Sequence, residues 1–230
     1  MGDMLLLIAE KHCDKTILAL ILMLTLAFSW SCKGPVGPPE NTADVTYMGK
    51  TYHVVKIGSQ YWLKENLDVG TMVDSIQDQK DNHVIEKYCY HNDTANCSRY
   101  GGLYQWNEAM QYDTTPGTQG ICPSGWHIPT LAEFQTDSAG VSGDGNALKA
   151  IGQGIDGGAG TDASGFSGLL GGFRNNYVNF LYLGQGMLAW SSTEPTATTA
   201  YRLYLSYINR YIDLSGNIKE RGLSVRCIKD

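Results

Sequence analysis

Charge is scarce in this chain, and what there is leans acidic. Of 230 residues only 17% are Asp, Glu, Lys or Arg, and the formal net charge is −6 at pH 7. A protein that binds a phosphate backbone carries a clustered excess of Lys and Arg, so the charge excludes a basic footprint and no nucleic-acid partner is expected. Long apolar runs are lacking too. Thr16–Phe28 (TILALILMLTLAF) is 13 residues long, short of the ~20 that a helix needs to cross a bilayer. No CxxC pair occurs, which removes the usual zinc-ribbon spacing. The nucleophile elbow GxSxG, the zinc-protease HExxH and a Gly-rich phosphate loop opening a helix are also missing, so no catalytic constellation is visible.

What is plentiful is glycine, with 27 residues, and tyrosine, with 14, in a chain that is 43% hydrophobic. That is enough for one domain with a sizeable core, cut by many turns into short strands. The N-terminal segments read differently. Lys11, His12 and Lys15 precede the Thr16–Phe28 run, and small residues with Cys32 follow it. A positive flank, an apolar run and a cleavage region make a signal peptide over residues 1–31, with an uncleaved membrane anchor as the alternative. Cys32, directly after Ser29-Trp30-Ser31, looks like the lipid-attachment cysteine of a bacterial lipoprotein. Ser29 stands where that pattern usually has an aliphatic residue, and Trp30 where it has a small one. Residues 32–44 then contain Pro35, Pro38 and Pro39, which favour an extended, semi-rigid tether. The expected location is the bacterial envelope, lipid-anchored at the outer membrane or cell surface.

From residue 45 the sequence predicts strands. Met48-Gly49 and Gly58-Ser59 are turn signals, and His53, Val55 and Ile57 alternate with Tyr52, Val54 and Lys56. His53 reads as a partly buried structural residue rather than a ligand. Tyr104–Met110 predicts a short helix with Trp106 and Met110 on its core side. Thr130 and Glu133 form a capping box, with Leu131 and Phe134 turned inward. In the closing segment Leu223, Val225 and Cys227 alternate with Ser224, Arg226 and Ile228, as in a strand with one face inward. Cys89 and Cys97 flank a polar loop holding His91, Asn92 and Asp93. A zinc site could draw on two thiols and one or two histidines, but an exported protein favours a disulfide. With Cys122 and Cys227 there are four cysteines in the domain and three possible pairings.

Two stretches are candidates for ligand contact. The Gly-, Asp- and Ser-rich Val141–Gly172 contains Asp144, Asp156 and Asp162, which are calcium candidates although their spacing does not fit an EF-hand loop. Turns and helix N-caps are the preferred account of them. Arg174, Asn175, Asn176, Tyr177 and Tyr182 mix a cation, amides and aromatics. Flat rings suit the faces of pyranoses, and amides or charges suit their hydroxyls. The competing reading packs the rings into the core and leaves the asparagines to make turns.

Five motifs in order carry a family resemblance: YGGLYQWNEAM (Tyr100–Met110), GICPSGWHIPT (Gly120–Thr130), GFSGLLGGFRN (Gly165–Asn175), AWSST (Ala189–Thr193) and GLSVRCIKD (Gly222–Asp230). From about Val45 to its end the chain resembles the Fibrobacter succinogenes major paralogous domain. The resemblance implies an α+β fold related to C-type-lectin-like domains: small antiparallel sheets, a few short helices, long irregular loops and disulfide staples. A weaker relation is to the formylglycine-generating, sulfatase-modifying group. The lectin-like layout implies the pairs Cys89–Cys97 and Cys122–Cys227, the second joining the start of a helix to the final strand. It also keeps calcium in view, because such folds bind it in long loops. The lectin sugar signatures, Glu-Pro-Asn or Gln-Pro-Asp followed by Trp-Asn-Asp, are absent, and Glu194-Pro195-Thr196 only echoes the first. The expected function is non-catalytic binding of an extracellular ligand, with a glycan favoured. The alternatives are a structural or adhesion module that binds an envelope protein, and an enzyme of the formylglycine-generating type, whose relatives use a cysteine pair for copper and oxygen chemistry.

Overall fold

A computed structural model describes residues 43–230. The expected signal peptide over 1–31, Cys32 and nearly all of the tether lie outside the described residues. Two hairpins open the described part. Met48 and Gly49, at φ 46° and 81°, turn β1 (Val45–Tyr47) into β2 (Lys50–Tyr52). Gly58, at φ 60°, turns β3 (Val54–Ile57) into β4 (Gln60–Leu63). These are the left-handed corners that glycine adopts without a Cβ clash. A two-stranded pair follows, β5 (Thr71–Met72) and β6 (Glu86–Lys87), then the helices α1 (Thr94–Tyr100) and α2 (Trp106–Ala109). β7 (Trp126–His127) leads into α3 (Leu131–Gly140), where Thr130 Oγ1 accepts from Glu133 N and Glu133 Oε2 accepts from Thr130 N.

The second half adds β8 (Gly171–Arg174), β9 (Phe180–Leu183), β10 (Gly186–Trp190), β11 (Thr199–Ser206), β12 (Ile212–Asp213), β13 (Gly216–Ile218) and β14 (Ile228–Lys229). One sheet has the order β3-β4-β14-β7, so the last strand of the chain lies between the first half and β7. The other has the order β12-β11-β10-β8-β9, with β13 on the start of β11. The fold is therefore α+β, with small sheets, few helices and two disulfides. Its pairing is not wholly antiparallel: β5–β6 and β8–β10 run parallel. The second case has a simple cause. β9 folds back on one side of β8, Gly184 (φ 72°) reverses the chain again, and β10 then runs with β8 along its other side.

Trp62, Trp106 and Trp190 are fully buried among the apolar side chains of both sheets. Trp106 Nε1 donates to Ser191 O at 2.8 Å and Trp190 Nε1 donates to Tyr104 O at 2.7 Å, so two of the three indoles keep their polar edge satisfied inside the core. Trp62 stacks on Phe134 with ring centroids 5.5 Å apart, which docks α3 on the smaller sheet. The closing segment differs from expectation. Only Ile228–Lys229 is regular strand, and Ser224 and Arg226 are buried together with Leu223, Val225 and Cys227. The segment passes between Tyr104 and Ala189 and has no solvent face for its polar residues. Arg226 compensates by donating to Asn66 Oδ1 and to the carbonyls of Leu63 and Phe166.

Cys89 is bonded to Cys97, and Cys122 to Cys227, with Cα separations of 5.0 and 6.0 Å. The long link joins the residues just before β7 and β14, two paired strands. No helix among the described residues is long and apolar enough to cross a membrane.

Candidate functional site

The β8–β9 hairpin builds one wall of an open groove. Asn175 Oδ1 accepts from the amides of Tyr177 and Asn179, both at 2.9 Å, and so turns the chain between the strands. The register runs evenly from Gly171↔Leu183 to Phe173↔Leu181, which sets Gly172 opposite Tyr182. Both have positive φ, 70° and 66°. A Cβ on Gly172 would stand 2.4 Å from Leu181 O, so the position admits only glycine. Tyr182 carries its side chain in the left-handed region, a strain of about 1–3 kcal/mol that the surrounding fold imposes. The distortion sets the Tyr182 ring edge-on to Phe173, centroids 5.4 Å apart, at the rim of the groove.

The groove holds about 410 Å³. Buried Phe173 and Leu188 line it from the hairpin and β10, Arg202 and Tyr204 from β11, Asn217 from β13, and Arg221 from the loop after β13. Tyr177 is 74% exposed and Tyr182 47%, so each offers a ring face to solvent. Arg202 lies over the Tyr204 ring at 5.0 Å and is held by Asp213, Nη2 to Oδ2 2.9 Å. Arg221 lies over the Phe173 ring at 5.6 Å, and its Nη1 donates to Asn217 Oδ1 at 2.7 Å.

Residues 55–229 match the Fibrobacter succinogenes major domain. The chain belongs to this family. No curated protein and no solved structure matches it. In this Fibrobacter succinogenes major domain the matched span takes in the whole groove and all four disulfide cysteines.

Asn175, Asn176, Tyr177 and Tyr182, expected together from the sequence, do line one groove of the family domain. Arg174 does not. Successive strand residues face opposite ways, and Arg174 points from β8 away from Phe173 into the protein. It is 2% exposed, its Nε and Nη2 both donate to Ser75 O, and its guanidinium sits 4.5 Å over the Tyr88 ring. Its donors are committed to the fold. Sequence reasoning missed Arg202, Tyr204, Asn217 and Arg221. The first two had a signal, since polar and aromatic residues at i and i+2 of a strand share a face, opposite Leu203 and Leu205.

The calcium candidates stay apart. Asp144 Oδ1 accepts from Asn146 N at 3.0 Å, Asp162 takes both the amide and the hydroxyl of Ser167, and Asp156 opens a single 3-10 turn. Among the described residues no group of three or more His, Cys, Asp or Glu side chains is placed to hold a metal. The same loop instead holds a covalent cation. Lys149 is 0% exposed, and its ammonium donates to the carbonyls of Gly158, Ser206 (2.6 Å) and Asn209 (2.9 Å). Burial lowers its pKa from the ordinary lysine value. All four cysteines of the domain are buried in disulfides, so they offer no free thiol. His53 is exposed rather than partly buried, with Nδ1 2.7 Å from Glu65 Oε1.

Proposed function

We propose that the protein is an exported envelope protein, lipid-anchored at Cys32, whose domain binds a glycan non-catalytically in the groove beside the β8–β9 hairpin. One observation carries the binding reading: two tyrosine rings stand exposed on the rim of an open groove whose wall also presents Asn175 and Asn176. Exposed aromatic rings next to side-chain amides match the alternation of apolar faces and hydroxyls on a pyranose. Loops and hairpin ends on a rigid sheet are where binding residues concentrate. The two disulfides support export, because such bonds persist in oxidising compartments. A C-type-lectin-like architecture is part of the same proposal, supported by the local and long disulfide links and by β14 closing the smaller sheet beside β7.

The site is shallow, so affinities of about micromolar to millimolar are expected. A glycan array probed with the full-length protein, and with Tyr177→Ala and Asn176→Ala, tests the reading. The expected result is binding that both substitutions abolish, with melting temperatures that hardly move. An unfolded Tyr177→Ala protein would mean that the ring belongs to the core. Capture of an envelope protein with no glycan bound at all would favour an adhesion module instead. Cys32→Ser should lose lipid labelling and membrane fractionation, and a variant that keeps both rejects the anchor.

A further inference from the structure

We infer that the ligand of this groove is acidic, a sugar bearing a carboxylate such as a uronic acid, with Arg221 as the residue that meets the charge. The inference rests on the glycan reading above and adds the chemical class. It comes from which polar atoms the fold has already engaged. Asn217 Oδ1 accepts from Ile218 N at 2.9 Å and from Arg221 Nη1 at 2.7 Å, and both partners can only donate. The amide orientation is thereby fixed, with the oxygen used inside the protein and the NH₂ left over. Asn175 repeats the pattern, since its oxygen takes two backbone amides. Two of the groove's three amides, Asn175 and Asn217, therefore have donors and not acceptors left for a ligand.

Charge points the same way. No Asp or Glu lines the groove, while two arginines do. Asp213 balances Arg202. Arg221 has no carboxylate partner among the described residues, its Nη1 is on an amide oxygen, and its plane is set by packing over Phe173. Its Nε is buried without a partner and its Nη1 is on Asn217 Oδ1, which leaves Nη2 as the donor the fold has not engaged. A fixed guanidinium edge beside amide NH₂ groups and tyrosine rings suits a carboxylate attached to a sugar ring. This placement occurs in a chain of net charge −6, so it is a local feature and not a general basic surface.

The test titrates the full-length protein with an oligogalacturonate and with its methyl ester, which shares the backbone but is neutral, and runs an array of paired acidic and neutral oligosaccharides. The expected result is tighter binding of the acid by roughly 10-fold or more, weakening as salt rises. Arg221→Gln should bring the acid-to-neutral ratio close to one, while Lys64→Gln, away from the groove, should leave that ratio as it is. Arg221→Lys keeps the charge without the fork and should restore part of the preference. Salt dependence in the unmodified protein decides the matter should Arg221→Gln fail to fold. Equal binding of acidic and neutral partners across the array overturns the acidic class and leaves the glycan reading standing. Binding of no glycan at all overturns both.

Discussion

His127 and Glu133 grip each other at the start of α3, with Nε2 2.9 Å from Oε1. The other ring nitrogen faces a second carboxylate, Nδ1 2.7 Å from Asp230 Oδ1. An imidazole that bonds a carboxylate at each nitrogen is best served by carrying both protons. The Glu133 hydrogen bond, opposed by burial and joined by Asp230, raises the His127 pKa. The raised value fixes the sign. The stabilisation is fully present below the unfolded pKa of about 6.5 and is lost as pH rises through the higher folded value. The melting temperature of His127→Gln should fall furthest below that of the unmodified protein in acid, and the gap should narrow in alkali. A gap that stays constant with pH would show that the ring acts by packing alone.

Asp137, in the same helix, titrates with a larger consequence. Neither carboxyl oxygen has a hydrogen-bond partner, and burial pushes its pKa up to about 7 against the pull of Arg226. The unfolded chain releases this proton near pH 4, so from there to about pH 7 the folded state binds more protons and stability falls as pH rises. Above that window the cost is on the order of 4 kcal/mol. Asp137→Asn should raise the urea midpoint at pH 8 and flatten the curve between pH 4 and 7. No gain at pH 8 would mean that the folded site already solvates the carboxylate.

Much of the frame was legible because it is local. Thr130 with Glu133 marks a helix start whatever surrounds it, and Met48-Gly49 marks a turn. The groove was half legible. The Asn175–Tyr182 stretch is contiguous, and its amide and aromatic content stands out in one window. Arg221 and Asn217 arrive from about forty residues away through the pairing of β13 with β11, which no short-range pattern encodes. Arg174 misled for a related reason. It neighbours the site in sequence, but strand alternation turns it inward. The closing segment also misled: it alternates apolar and polar residues, yet Ser224 bonds to Leu188 and Trp190 of the larger sheet and Arg226 to Leu63, Asn66 and Phe166, so both faces are buried.

Lys149 should be the most sensitive position of the long loop. Replacing it with Met keeps the volume but strands the carbonyls of Gly158, Ser206 and Asn209 without their common donor. A buried carbonyl left without a donor costs about 1–3 kcal/mol. Urea unfolding of Lys149→Met should show a loss of that size, and hydrogen exchange should quicken between residues 145 and 160. A variant as stable as the parent would mean that water replaces the ammonium at no cost.

Tyr182 offers the sharpest separation of binding from folding. It pairs a left-handed backbone, φ 66°, with an exposed ring on the rim of the groove. If the fold tolerates that strain only to aim the ring, removing the ring and removing the strain should have different effects. Tyr182→Ala deletes the ring and keeps a Cβ in the unfavourable region. Tyr182→Gly deletes the ring and releases the backbone, which favours the folded state by on the order of 1 kcal/mol relative to Ala. Both should abolish glycan binding. The glycine variant should nevertheless unfold at the higher urea concentration of the two. The order of the two midpoints isolates the backbone term, because the lost contact with Phe173 is common to both. A glycine variant less stable than the alanine one would show that the left-handed turn is held by something other than strain imposed on Tyr182. Binding that survives in either would move the site away from this ring.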